Sequence, residues 1–427
     1  MGGGILGLPH AMAQMGLVAG IALLILTAGL CCVTVWMLLI AMEESRQKSY
    51  AEVANVLYGS RAGIVVDVTI AMYNFGVLVS YVMIIGDIVA SFLGFLNAPE
   101  LLQDRTLVLV LSGIFIFMPL SSMPSMGALR HASLICILMI AMLSVALLAA
   151  GSKTIDVSEP LDGPVQYGVH SRVGFLTQLP VLIFAYTCNM NVPIFYGEMR
   201  AQTYEEIDSK FRSKREKMMF AMYFSSILCG VEYLIVGVFG YLAFRARTAA
   251  DILTNLHMTR FWPAPYVKAG YSLVMYTSYP VMCFSCVASV HRLFWQFYSL
   301  FHPEEGAYRR FEACSPTMEQ ESSMAPSIFA TPYRLPGEDH LKEPPGFVRE
   351  DDENQAAPPA PTTSERLLLV LLLVCSTVLL GVILPDLSVV FGLTGGFCGG
   401  LVTFCFPALF YIRVASKKSE SLLVGAW

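Results

Sequence analysis

Long apolar stretches with few charged residues alternate with short polar connections along almost the whole chain. A helix needs about 20 mostly apolar residues to cross a bilayer, and most of these stretches reach that length. The pattern predicts helical spans at about 1–13, 17–42, 63–93, 107–120, 131–150, 173–197, 219–244, 266–290, 367–385 and 389–414. The predicted fold class is therefore all-α, a polytopic helical membrane protein with about ten spans, of which the first is truncated.

Lysine and arginine are unevenly distributed between the two sets of connections. With the N-terminus in the cytoplasm, Arg46, Lys48, Arg61, Arg130 and the basic segment 200–217 fall inside, and fewer basic residues fall outside. Short cytoplasmic loops carry an excess of basic residues in membrane proteins. This distribution predicts a cytoplasmic N-terminus.

One long connection differs from the others in composition. The segment 301–365 is rich in Pro, Ser, Glu and Asp, so it is too polar to bury a core and is predicted to be disordered. It divides the chain into a bundle of spans one to eight (1–300), a cytoplasmic loop (301–365), and spans nine and ten with a short tail (366–427). Two interpretations of the loop stay open: a plain tether, or a binding segment for cytoplasmic regulators.

The amino-acid composition excludes most classes of soluble protein. The chain is 56% hydrophobic and 14% charged, against about 25% charged residues in soluble domains. The formal net charge of −5 comes without the basic patch of a nucleic-acid-binding protein. The predicted spans contain no nucleophile–base pair and no metal-binding motif, and the 11 cysteines have no metal-site spacing. An enzyme is not predicted, and no cofactor is expected beyond a possible sodium ion or proton.

Two apolar spans are interrupted by residues that break helices. Gly2, Gly3 and Gly4 open the first run before Ile5, and the segment Cys188-Asn189-Met190-Asn191-Val192-Pro193 interrupts the sixth. Free N–H groups at a helix start favour a carboxylate, and unwound carbonyls favour an ammonium group or a cation. Interrupted helices in matching halves point to the substrate site of a secondary transporter. The alternative for the glycines is close helix packing by small residues.

Ionisable residues inside predicted spans are candidates for ion coupling, because charges are costly in lipid. Asp87 and Glu232 lie deep in their spans, and His10 stands next to the first interruption, where its charge can change near neutral pH. For each, the alternative is a packed or paired structural role. Asp67, Glu198 and Lys268 lie near span ends, where snorkelling or an ion pair is the favoured interpretation.

Several runs resemble the amino acid/auxin permease family, most closely the branch of the sodium-coupled neutral and the vacuolar amino acid transporters. They include GGGILGLPHAMAQMG at the start, SYAEVANVLYG at 49–59, SYVMIIGD at 80–87, FAYTCNMNVPIFYGEMR at 184–200 and SYPVMCF at 278–284. Each match is loose, but their order extends along nearly all of the chain outside the loop 301–365.

The resemblance implies a LeuT-like bundle in which spans one to five and six to ten are inverted repeats. It also implies ion-coupled amino acid transport by alternating access. Carried over by position, Gly2, Gly3, Gly4 and Ile5 would hold the substrate carboxylate. The substrate amine and side chain would meet Cys188, Asn189 and Asn191, with Tyr279 in the same cavity. Ser278 matches a sodium ligand of the sodium-coupled members. Its alternative role is a hydroxyl bonded to its own helix at the Pro280 kink.

The sequence differs from the family in the region that binds the coupling ion in sodium-coupled members. The half-span that carries a cation-binding Asn in sodium-coupled members lies upstream of the glycines and has no counterpart here, nor does an eleventh span. Sodium and proton coupling therefore both stay open. The predicted function is a symporter of neutral amino acids in the plasma membrane or a vacuolar or lysosomal membrane. The alternative is an amino acid sensor that binds without transport.

Overall fold

The computed structural model describes residues 3–123, 130–152, 163–169, 171–199, 213–256, 264–301, 362–384 and 387–424, and every regular element within these ranges is a helix. The chain divides into two units, Met1–His291 with Thr362–Trp427, and Arg292–Pro361. Most of the predicted loop 301–365 lies outside the described residues. The remaining description concerns the first unit.

The first half of the chain contains eight α-helices among the described residues. They are α1 (Gly4–Met15), α2 (Leu17–Ser45), α3 (Tyr50–Tyr58), α4 (Ser60–Phe95), α5 (Glu100–Gln103), α6 (Arg105–Ser112), α7 (Met118–Ser121) and α8 (Arg130–Gly151). A π-helical segment, Gly113–Phe117, joins α6 to α7, so that the three form one apolar helix, Arg105–Ser121.

The second half begins with a broken helix. The described α-helices here are α9 (Arg172–Tyr186), α10 (Val192–Glu198), α11 (Lys214–Phe244), α12 (Ile252–Asn255), α13 (Ala264–Phe301), α14 (Thr363–Ile383), α15 (Leu387–Phe391) and α16 (Phe406–Val424). The π-helical segments Gly392–Gly399 and Leu401–Cys405 connect α15 to α16. Each predicted span thus overlaps one or more of these helices, although the ends differ by several residues.

Seven stretches within the described residues are long and apolar enough to cross a membrane, which confirms a polytopic helical membrane protein. They begin at Leu17, Ser60, Arg172, Lys214, Ala264, Thr363 and Val389. Arg105–Ser121 and Cys136–Gly151 are shorter apolar helices. The start of α14 is defined by a capping box in which Thr362 and Glu365 satisfy each other's backbone amides, so this helix begins before the predicted span at 367.

Helix α1 lies in the interior of the first unit. Ile5, Leu6, Leu8 and Met12 have no exposed surface, and the helix packs against α2, α9 and α11. Glycines of α11 make the close approach possible, because a Cβ atom added at Gly237 would lie 2.6 Å from the Met12 methyl carbon. Small residues at helix contacts are the usual device for packing inside a bilayer. Gly237 therefore allows α11 to approach α1 closely.

Candidate functional site

The sixth predicted span is interrupted as the sequence indicates. Helix α9 ends at Tyr186, Thr187 has an extended backbone, and Asn189–Asn191 form a single 3-10 turn before α10 begins. Pro193 occupies the first turn of α10, where its missing N–H is tolerated, but it cannot continue a helix arriving from α9. The break exposes backbone groups in the middle of a membrane span.

The Asn189 side chain forms hydrogen bonds that connect this break to α2 and to the segment Leu401–Cys405. Its amide nitrogen donates to the Thr34 hydroxyl at 3.1 Å and to the Thr403 carbonyl at 3.0 Å. Its Oδ1 atom accepts from the Cys31 thiol at 3.3 Å, and the side chain is fully buried. These bonds turn the amide towards α2 and the segment Leu401–Cys405. The predicted contact of Asn189 with substrate stays a prediction, and the amide is already occupied by protein partners.

The start of α1 lies directly beside the end of α9. A Cβ atom added at Gly4 would lie 2.7 Å from the Ala185 Cα atom, so only glycine fits this contact. Gly3 is the N-cap of α1 and has no side chain to bond the first amides of the helix. The N–H groups of a first helical turn have no partner within the helix. Gly2 lies outside the described residues, and Ile5 is completely buried.

A cavity of about 530 Å³ adjoins the start of α1 and the break between α9 and α10. Among the predicted substrate residues, Gly3, Gly4, Cys188 and Asn191 line it, whereas Ile5, Asn189 and Tyr279 do not. Helices α2, α4, α9, α10, α11 and α13 supply the other lining residues, which include Cys31, Cys32, Tyr73, Tyr81, Phe184, Tyr186, Phe195, Met199, Met218, Met222, Cys229, Tyr233 and Met282. Sequence inspection missed these residues, since they carry no motif and come from distant segments.

The cavity lining is uncharged. No Asp, Glu, Lys, Arg or His occurs among the described residues that line it, while four are cysteines and four are methionines. Its polar atoms come from backbone groups, hydroxyls, thiols and the Asn191 side-chain amide. The Tyr233 hydroxyl donates to the Ala185 carbonyl at 2.8 Å, and the buried Tyr186 hydroxyl has no partner within the described structure. Such a site suits a zwitterion held by helix ends with an apolar side chain.

An aromatic pair separates this cavity from a second one. Phe184 lines the first cavity, Phe391 lines the second, and the ring centroids are 4.8 Å apart. The second cavity encloses about 360 Å³ and is bordered by Gly7, His10 and the start of α9. The first cavity reaches Met218 near the start of α11, the end predicted to be cytoplasmic. The arrangement resembles a carrier closed towards its external side.

The predicted coupling residues are dispersed. His10 donates from Nδ1 to the Thr248 carbonyl at 2.8 Å and borders the second cavity. The Asp87 carboxylate pairs with Arg105 at 2.7 Å and is half exposed. Glu232 accepts a hydrogen bond from the Ser144 hydroxyl. Their roles in coupling stay predictions.

Ser278 and Tyr279 lie away from the main cavity lining. Ser278 is half-buried and has no hydrogen-bonding partner among the described residues. The Tyr279 hydroxyl lies 2.7 Å from the Thr377 Oγ1 atom, and its ring stacks on Phe117 at 4.1 Å. Tyr279 therefore ties α13 to α14. A sodium site at Ser278 stays a prediction.

The helical spans, the broken helix formed by α9 and α10, and the uncharged cavity beside it fit a membrane transporter for a small molecule. The profile of the family described as transmembrane amino acid transporter protein matches residues 1–424. The chain belongs to this family, which makes it a multi-pass amino acid transporter and not an enzyme.

Curated relatives agree with this assignment. The chain is 28% identical to vacuolar amino acid transporter 5 of Schizosaccharomyces pombe, over 74% of this chain and 71% of the relative. It is 26% identical to vacuolar amino acid transporter 6 of Saccharomyces cerevisiae, over 75% and 69%. It is 23% identical to sodium-coupled neutral amino acid transporter 7 of Danio rerio, over 70% and 63%. The resemblance stated from the sequence is confirmed.

Proposed function

We propose that this chain carries neutral amino acids by alternating access, with the 530 Å³ cavity as the substrate site. The uncharged lining is the observation that supports this proposal. A charged substrate side chain would be desolvated there without a counter-charge, which costs several kcal/mol. An apolar side chain would find sulfur atoms and aromatic rings, which adapt to different shapes.

In this proposal the substrate lies between the start of α1 and the break that separates α9 from α10. Its carboxylate faces the first amides of α1 at Gly3 and Gly4, where the helix dipole favours a negative charge. Its ammonium group faces the backbone at Cys188, and its side chain extends towards α11. The names of the relatives include both vacuolar and sodium-coupled neutral transporters, so the coupling ion stays open.

Transport into sealed vesicles tests the proposal. Purified full-length protein is reconstituted, and uptake of radiolabelled leucine is measured under a proton gradient and, separately, under a sodium gradient. We expect uptake under one gradient that unlabelled neutral amino acids inhibit and that lysine and glutamate do not.

Two other outcomes contradict parts of the proposal. Equal inhibition by lysine or glutamate would exclude selectivity for neutral substrates. Saturable binding of leucine without net flux under either gradient would instead support a sensor.

A further inference from the structure

A third cavity lies between α4, α13 and the segment 245–256, which ends just after α12. It encloses about 230 Å³, and Asp87, Asp251, Thr254 and Lys268 line it. Three of these residues are charged, in contrast to the described lining of the substrate cavity. With the N-terminus in the cytoplasm, the connection from α11 to α13 is predicted to be external. The cavity therefore faces the side from which external protons arrive.

Two oppositely charged side chains, Asp251 and Lys268, line this cavity without forming an ion pair with each other. Asp251 and Lys268 are 8% and 9% exposed, so both are buried. The Asp251 Oδ1 atom accepts from the Leu253 amide at 2.9 Å and caps α12. Among the described residues, the Lys268 ammonium group has no hydrogen bond or ion pair. A buried carboxylate without a paired charge is costly, so a neutral, protonated Asp251 fits the geometry better.

Some groups around Asp251 raise the pKa of its carboxyl group, and others lower it. Burial raises the pKa of Asp251 to about 7, the Leu253 amide and Lys268 act against this rise, and Asp87 adds to it. Arg105 neutralises Asp87 from α6, and the buried Tyr271 of α13 also lies near Asp251. Asp251 therefore changes charge in the range that separates a neutral from an acidic compartment.

The segment that carries Asp251 packs on the end of α1. The Thr248 carbonyl accepts from His10, and α12 packs against α1. Asn255 holds the segment together by accepting from the Ala249 amide at 2.8 Å and donating to the Arg247 carbonyl at 2.9 Å. Ala250 of this segment borders the second cavity. A change of charge at Asp251 is thus placed to affect closure on the external side.

We propose that Asp251 is a proton-binding site, that Lys268 acts on its charge from across the cavity without pairing with it, and that the bound proton keeps the segment 245–256 docked on α1. The sign follows from linkage, since a carboxyl that binds its proton more tightly when docked stabilises the docked state as the pH falls. External acid then favours the externally closed arrangement, and release of the proton favours undocking. The proton-binding site at Asp251 does not depend on the proposed transport function. Only the effect of this proton on transport rests on that proposal.

Hydrogen–deuterium exchange of the segment 245–256 tests this site without any transport measurement. The purified full chain is compared with Asp251→Asn at each pH, which cancels the intrinsic pH dependence of exchange. Asparagine caps a helix as well as aspartate does, so the variant changes the charge and keeps the cap. We expect equal exchange at pH 5.5 and at least about threefold faster exchange in the unsubstituted protein at pH 8, with a midpoint near 7.

Two further variants control the interpretation. Lys268→Met removes the positive charge across the cavity and should move the midpoint to higher pH. Asp87→Asn alters an exposed carboxylate and should leave most of the transition in place. A ratio of exchange rates that does not change with pH would overturn the proposal, and so would a transition of the same size in Asp251→Asn and the unsubstituted protein. Loss of exchange protection at all pH values in Asp251→Asn would show that the residue only caps α12.

Discussion

The Asn189 side chain donates to the Thr403 carbonyl oxygen at 3.0 Å and so joins the break between α9 and α10 to a π-helical segment 214 residues away in sequence. Buried amides of this kind need all their partners. The same side chain also bonds Thr34 and Cys31 of α2. The shape of the 530 Å³ cavity thus depends on a residue that does not line it.

Asn189→Ala should destabilise the protein and weaken substrate binding together. The substitution removes the buried hydrogen bonds to the Thr34 hydroxyl and the Thr403 carbonyl, and each such bond contributes about 0.5–1.5 kcal/mol. The measurements are the thermal midpoint in detergent and the Kd for leucine. Asn191→Ala is the matched control, since Asn191 lines the cavity and should change the Kd with a smaller change in thermal midpoint. An unchanged midpoint in Asn189→Ala would contradict this connecting role.

Gly4→Ala should abolish substrate binding at normal expression. The new Cβ atom would lie 2.7 Å from the Ala185 Cα atom, so α1 and α9 would have to separate at the cavity. Gly29→Ala on α2 is the control, because a Cβ atom at Gly29 meets nothing within 4 Å. Equilibrium binding of radiolabelled leucine to both variants gives the comparison. Full affinity in Gly4→Ala would mean that the start of α1 is not part of the site.

The position of the break between α9 and α10 could be predicted from the sequence because its cause is local. Pro193 cannot continue a helix that arrives from α9, wherever that helix packs. The same reasoning could not tell which way Asn189 points, because that depends on Thr34 and Thr403, which are distant in sequence. Local chemistry located the break, and tertiary contacts decided which of its residues face the cavity.

The titratable residues show more clearly that the sequence alone does not reveal the environment of a side chain. Asp87 and Glu232 stood out because they interrupt apolar spans, yet the structure gives them partners in Arg105 and Ser144. Asp251 belongs to a short connection with no periodic pattern, where an acidic residue is ordinary. Its burial arises from packing between α1, α4 and α13. A single sequence carries no signal for an environment assembled from such distant segments.

Phe391→Leu should allow solutes to pass between the first and second cavities. The Phe391 ring is almost fully buried and packs on Phe184 at 4.8 Å, so a shorter side chain opens the aromatic barrier. We expect leucine efflux without a driving gradient to rise several-fold in reconstituted vesicles. Phe397→Leu is the control, because Phe397 is 62% exposed and lies outside both cavities. Equal efflux in the two variants would place the barrier elsewhere.

Glu43→Gln should shift the carrier away from the arrangement seen here. The Glu43 carboxylate accepts from the Tyr196 hydroxyl at 2.7 Å and from Arg215 at 2.8 Å, which joins α2 to α10 and α11 at the end predicted to be cytoplasmic. Helix α10 must move relative to α2 if the cavity is to close there. The pair is partly exposed, so its loss should change the conformational equilibrium only about twofold to fivefold.

Labelling of Cys188 measures that shift, because this thiol is exposed and lines the 530 Å³ cavity. Mass spectrometry follows its reaction with a small maleimide, and we expect a slower rate in Glu43→Gln. Arg215→Gln should slow labelling to a similar extent, and the double variant should add little, since both substitutions remove one interaction. Additive effects in the double variant would mean that Glu43 and Arg215 influence the carrier independently, and the proposed connection between α2 and α11 would be wrong.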